Sequence, residues 1–165
     1  MAEFELYTPA EVENITGINS ATIRKWRERG RLPANEATDK GAKHSRFAAH
    51  EIVALLALDN LDHRKADDGA IQIAVETARQ IAAAHMWQRA RREGTAPTVT
   101  DPSADGCRYV AVSGLFASAT SKLQGWPFPV RDIAGDGSFT FNCFDVIAAA
   151  EMVSAQAPRP VVKLG

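Results

Sequence analysis

Cysteine is scarce in this chain: Cys107 and Cys143 are the only two in 165 residues. Two thiols exclude a disulfide-stapled scaffold and any four-thiolate zinc site. Cysteine outside such roles packs as a small hydrophobe, so both read as free, partly buried thiols. Long apolar runs are missing as well, and no stretch approaches the ~20 residues that span a bilayer. The N-terminal MAEFELYTPAE is acidic, where a signal peptide is basic and then apolar. The expectation is a cytoplasmic protein without a membrane partner. Excess charge of one sign is also absent. The formal net charge is −1, with 24% charged and 45% hydrophobic residues, which argues against wholesale disorder and for a real core.

Catalytic constellations are lacking too. There is no His-Glu-x-x-His, no phosphate-binding glycine loop and no dinucleotide fingerprint. Ser113 beside Gly114 lacks the Gly-x-Ser-x-Gly elbow. His50, His63 and His85 fall at helical spacings that do not converge. Asp136 in AGDGSF, and Asp132 two residues before that stretch, are explained by a hairpin turn. Trp126 and Phe128 in GWPFPV line a small-molecule pocket or pack a core; packing is the simpler reading, and any effector stays unidentified. An enzyme is not expected, nor a metal site, nor a cofactor.

What the chain does have is charge in one place. Residues 1–19 carry Glu3, Glu5, Glu11 and Glu13 and no base, a net −4. Residues 20–46 carry eight cations against three anions, a net +5, and beyond residue 60 eleven of each sign cancel. Such a local positive field is what a surface for an anionic partner requires.

The cations sit on a recognisable scaffold. In YTPAEV, Thr8 can cap a helix with Pro9 at its first position, Glu11 completes a capping box, and Tyr7 can staple onto Val12. Gly17 ends that helix. Ser20 is expected to cap a second, Ala21 to Arg29, which Gly30 stops. Helix, glycine turn and helix make a helix-turn-helix. RLPANEATDKGAKHS then reads as a basic hairpin or loop, and Phe47, Ile52, Leu55, Leu56, Leu58 and Leu61 give a third helix its apolar face.

A long helix is expected over Asp67–Arg92, with Ile71, Ala74, Val75, Ala78, Ile81, Ala82, His85 and Met86 at 3–4 spacing. A stripe that long wants a partner helix: a second subunit by preference, or the C-terminal segment of its own chain. EGTAPTVTDPSADG is a polar linker. Beyond it CRYVAVSGLF and FPVRDIA read as strands, GDGS as a turn, FTFN as a returning strand, and Cys143–Gln156 as a helix capped by Asn142. The fold class is mainly α with a small α+β C-terminal unit. Its divisions are a helix-turn-helix domain with a wing (1–63), a dimerisation helix (64–94), a linker (95–106), the α+β unit (107–157) and a flexible tail (158–165).

On a helical wheel of ~100° per residue, Ile23 and Trp26 lie together and face the core. Opposite them fall Ala21, Arg24, Lys25 and Glu28, flanked by Thr22, Arg27 and Arg29. A helix ~10–12 Å across enters the ~12 Å major groove, where Arg24 and Lys25 could reach guanine or phosphate and Ala21 a thymine methyl. Lys40, Lys43, His44 and Arg46 would reach neighbouring backbone as a wing does. With Ser20 at the helix start, these residues form the expected DNA-binding set; Arg29 and Arg31 are left to serve the helix C-terminus.

YTPAEVENITGINSATIRKWRERGRLP followed by HSRFAAHEIVALLAL resembles the winged helix-turn-helix of the MerR family of transcriptional regulators. Thr22, Ile23, Arg24, Trp26, Gly30, Leu32, Arg46 and Phe47 occupy the family's positions, while Lys25 replaces a usual aromatic and His44–Ser45 loosens the wing motif. The likeness covers residues 5–61, and excisionases and small phage terminase subunits share the module. It implies a homodimer on double-stranded DNA, paired through the long helix by Ile71, Val75, Ala78, Ile81, Ala82, His85 and Met86. An excisionase-like or terminase-like DNA-recognition protein is the alternative. A protein-interaction adaptor whose helix-turn-helix does not bind DNA is a further one.

Overall fold

The computed structural model describes residues 2–32, 46–62, 67–92, 107–113, 116–120 and 142–164. Helix α1, Pro9–Thr16, begins as its sequence dictates. The Thr8 hydroxyl accepts from the Glu11 amide at 3.3 Å, and the Glu11 carboxylate accepts from the Thr8 amide at 2.8 Å. Gly17 closes the helix at φ 74°, a left-handed conformation that glycine adopts without a Cβ clash. Helix α2 is Ser20–Glu28, one residue earlier at both ends than expected. Its cap is Asn19 rather than Ser20: the Asn19 side chain takes the Ala21 amide at 2.7 Å, which leaves Ser20 inside the helix.

Helix α3, Ala49–Asp62, is buried nearly all round, as Ile52, Val53, Leu55, Leu58 and Leu61 show. A helix so enclosed sits at the centre of its protein. The buried Glu51 carboxylate accepts from the Ala48 amide at 2.7 Å, which satisfies a donor that the helix start would otherwise orphan. Helix α4, Asp68–Arg92, runs about 37 Å and packs along α3.

The stripe on α4 requires a correction. Ile71, Val75, Ala78, Ile81, Ala82 and Met86 are each at most 4% exposed in the single chain. They are covered by α3, by the sheet strand β4 (Tyr109–Ser113) and by helix α5 (Val146–Gln156). His85 bonds Glu151 of α5 at 2.6 Å through Nε2. Of the two partners the stripe could have, its own C-terminal segment fills the place assigned to a second subunit.

Strand β4 lies at the centre of an antiparallel sheet, between β5 (Phe116–Thr120) and β6 (Asn142–Asp145). Its register pairs Val110 with Ala119 and Phe144. The last helix was expected from Cys143 with an Asn142 cap. Instead residues 142–145 pair with β4, and Asp145 caps α5 by accepting from the Ala148 amide at 3.0 Å. Val110, Val112, Val146 and Val153 join the same core cluster as Tyr7, Ile52 and Val75. The α+β segment and the N-terminal helices thus share one core. Within the tail, β7, Val162–Leu164, pairs antiparallel with β1, Ala2–Phe4, through Glu3↔Lys163. The linker, FPVRDIA, GDGS, Asp132, Asp136, Trp126 and Phe128 lie outside the described residues.

Candidate nucleic-acid interface

Helix α2 presents two unlike faces. Ile23 and Trp26 are 3% and 4% exposed and hold it to the core. Ser20, Ala21, Arg24, Lys25, Arg27, Glu28 and Arg29 are exposed, and Thr22 is half-buried. Arg24 and Glu28 approach to 3.9 Å one turn apart, with side chains 73% and 67% exposed. An ion pair so wet is worth a few tenths of a kcal/mol and leaves the guanidinium available to a stronger anion. Arg46, also exposed, lies directly before strand β3, Phe47–Ala48, which pairs with β2, Leu6–Tyr7. The wing cations Lys40, Lys43 and His44 lie outside the described residues.

Two arginines near the helix end have different fates. Arg27 stays exposed, its guanidinium 5.9 Å from the Phe47 ring centroid. Arg31 turns inward and pairs with Asp62 at the end of α3 and Asp68 at the start of α4. Trp26 Nε1 donates to the same Asp62 carboxylate at 3.4 Å, and the Gln72 side-chain amide donates through Nε2 to the Gly30 carbonyl at 3.3 Å. The exit of α2 is therefore locked to the α3–α4 junction. Asp62, Asp68 and Gln72 were not singled out in the sequence, because their role depends on contacts more than thirty positions away.

The first amides of α2 are already engaged, Ser20 N by Glu13 Oε2 at 3.2 Å and Ala21 N by Asn19. An anion approaching this face meets side-chain cations before backbone donors. Beside the helix runs a groove of about 300 Å³, floored by Pro9, Ile23 and Phe47 and rimmed by Ser20, Ala21, Arg24 and Arg27.

Two histidines lie away from this face. His50 is packed against Phe4, ring centroids 4.3 Å apart, and its Nδ1 has no hydrogen-bond partner among the described residues. Burial, reinforced by the Arg79 charge, pushes its pKa down to about 4. His85 belongs to the α4–α5 contact, where Glu151 also pairs with Arg89.

Residues 6–57, about a third of the chain, match the family model of the helix-turn-helix domain. The matched segment spans α1, the Gly17 turn, α2 and most of α3, so the chain contains a helix-turn-helix domain of the DNA-binding kind. No curated protein gives a significant match to the chain.

Proposed function

We propose that the chain is a sequence-specific, double-stranded-DNA-binding transcription regulator of winged, MerR-like type, with α2 as its recognition helix. One observation carries the reading: the Ala21–Arg24–Lys25–Glu28 face of α2 is exposed, and no other described part of the chain covers it. Bidentate contacts from Arg24 and Lys25 to base edges would give specificity, and Arg27 and Arg46 would supply phosphate contacts. Two copies bound one DNA turn apart, ~34 Å, would read a palindromic operator in the cytoplasm.

The test is selection of bound fragments from genomic DNA, followed by anisotropy titration of wild type and Arg24→Ala on the best duplex. Retained affinity in the variant removes α2 from the interface. Failure of any fragment to bind at low salt favours the adaptor reading. An excisionase-like or terminase-like DNA-recognition role is the second reading, and one feature favours it. The stripe that would pair two MerR-like copies is spent inside the chain. Clustered, phased sites would support it, and one isolated palindrome would not.

A further inference from the structure

Glu28 is set against its own helix. It is the last residue of α2, where a carboxylate is repelled by the negative end of the helix dipole. It follows Arg24 by one turn, the weaker order for an ion pair on a helix, and its side chain is 67% exposed. Helix stability therefore gives no reason for an acid here, yet Glu28 is the only anion in α2 and stands on the outward face with Arg24 and Lys25. We propose that Glu28 is a specificity-determining residue, whose carboxylate accepts a hydrogen bond from the exocyclic amine of a cytosine near the guanine that Arg24 reads. The proposal rests on the DNA-binding reading and names a base that this face requires.

The chemistry of the groove selects the base. An ionised carboxylate only accepts hydrogen bonds. The major groove offers it acceptors at guanine N7 and O6 and at thymine O4, all of which repel it, and donors only at cytosine N4 and adenine N6. On adenine the N6 hydrogen lies beside the N7 lone pair, which repels the second carboxylate oxygen. On cytosine the N4 hydrogen lies beside a carbon-bound hydrogen, and no such conflict arises. Four residues of helix rise about 6 Å and bases stack ~3.4 Å apart, so the cytosine lies within about two steps of the guanine. In the free chain Arg24 and Glu28 approach only to 3.9 Å in water, so little holds them together when each meets its own base. The carboxylate also works against wrong partners. Laid on a duplex without that cytosine, it faces acceptors and phosphates with no donor, and affinity for such sites falls.

The full chain is taken through selection from random-sequence duplexes as wild type, Arg24→Ala, Glu28→Ala and Glu28→Gln, with circular dichroism to check that each is folded. Wild type should enrich a cytosine at one fixed position, within two steps of a guanine whose enrichment Arg24→Ala loses. Glu28→Ala should keep that guanine, lose the preference at the cytosine position and bind mismatched duplexes more tightly than wild type. Glu28→Gln should replace the cytosine by adenine, because a side-chain amide meets N6 and N7 together. In the best duplex, that cytosine is then replaced by N4-methylcytosine, whose methyl takes the place of the outward N4 hydrogen while base pairing is kept. The change should weaken wild type about tenfold or more and leave Glu28→Ala unaffected. If Glu28→Ala selects the same bases as wild type, or loses the guanine instead, the carboxylate reads no base and only orients Arg24. An N4-methyl loss equal in both proteins overturns the assignment as well. If wild type binds duplexes without base preference, the assignment fails although DNA binding stands. If it binds none even at low salt, the parent reading fails and takes the assignment with it.

Discussion

The Tyr7 hydroxyl donates to the backbone carbonyl of Arg159 at 3.0 Å, across 152 positions of sequence. The Arg159 guanidinium returns over the Tyr7 ring at 5.3 Å and reaches Glu5 at 3.1 Å and Glu11 at 2.9 Å. Glu11 is also the residue that closes the capping box of α1. The last residues of the chain are thereby fastened to the first turn of the helix-turn-helix, and the strand pair β1–β7 continues the same contact. The matched 6–57 segment is completed by residues a hundred positions beyond it.

Tyr7 makes this fastening visible to alkali. Burial, with the neighbouring Glu5 charge, raises its pKa to about 12 from the ordinary 10.0. Below pH 10 the phenol is protonated in both folded and unfolded chains, and its contribution is intact. Above pH 10 the unfolded chain releases that proton and the folded one holds it, so stability should fall between pH 10 and 12 by up to about 1.4 kcal/mol per unit. Tyr7→Phe should cost about 1 kcal/mol at pH 7 through the lost hydrogen bond and should flatten the alkaline fall. Urea midpoints at pH 7, 10 and 11 decide it.

Arg31 and Arg24 should separate structure from recognition. Removing Arg31 leaves Asp62, whose side chain is 16% exposed, without its cation beside Trp26. Arg31→Ala should therefore lower stability by about 1–3 kcal/mol and weaken DNA binding indirectly, through the loosened exit of α2. Arg24→Ala should leave stability within about 0.5 kcal/mol, since its Glu28 pair is exposed, while costing about 1–3 kcal/mol in binding to the selected duplex. Denaturation and anisotropy on both variants give the two columns to compare. Equal loss of stability in both would refute the distinction.

How much of this could be read beforehand follows from range. Thr8, Glu11 and Gly17 announce α1 because a capping box and a left-handed glycine are local devices within ten residues. Ile23 and Trp26 announce the inner face of α2 for the same reason, a spacing of three. The outward cations Arg24 and Lys25 follow by subtraction. Strands β1 and β7 were not legible, since three-residue strands carry too little alternation and each is defined only by the other. The inward turn of Arg31 was hidden similarly, its carboxylates lying on the far side of the loop. The α4 stripe was visible as apolar, but periodicity names no partner, and the correct one was a helix beginning at Val146.

His50 gives an acid-side prediction. Its folded pKa of about 4 lies below the ordinary 6.5, so the unfolded chain takes up the proton first. Stability is full above pH 6.5 and is lost as pH falls through about 4, at up to about 1.4 kcal/mol per unit. Facing it are Arg79, whose charge adds to the depression, and Glu76, which opposes it; Phe4 closes the ring from the other side. His50→Gln should lose much of the slope between pH 6.5 and 5, a window above the range in which Glu11, Glu76 and Glu151, all held below the usual carboxylate value, take up protons. Chemical denaturation at half-unit steps measures that slope. An identical slope in the variant would place the acid sensitivity elsewhere.

Ala78 tests the corrected role of α4. It is fully buried in the single chain, on the face of α4 turned to the core. A carboxylate there would sit in apolar surroundings without a cation, so Ala78→Glu should cost more than about 3 kcal/mol and yield an unfolded or aggregating chain at any concentration. Ala78→Leu should cost about 1–3 kcal/mol by overpacking and leave the sedimentation coefficient of the folded fraction unchanged. Were the stripe a subunit interface instead, Ala78→Glu would give a folded monomer of half the mass with normal circular dichroism. Sedimentation velocity on both variants at two protein concentrations separates the outcomes, because loss of an interface shifts mass while loss of a core position shifts the folded fraction.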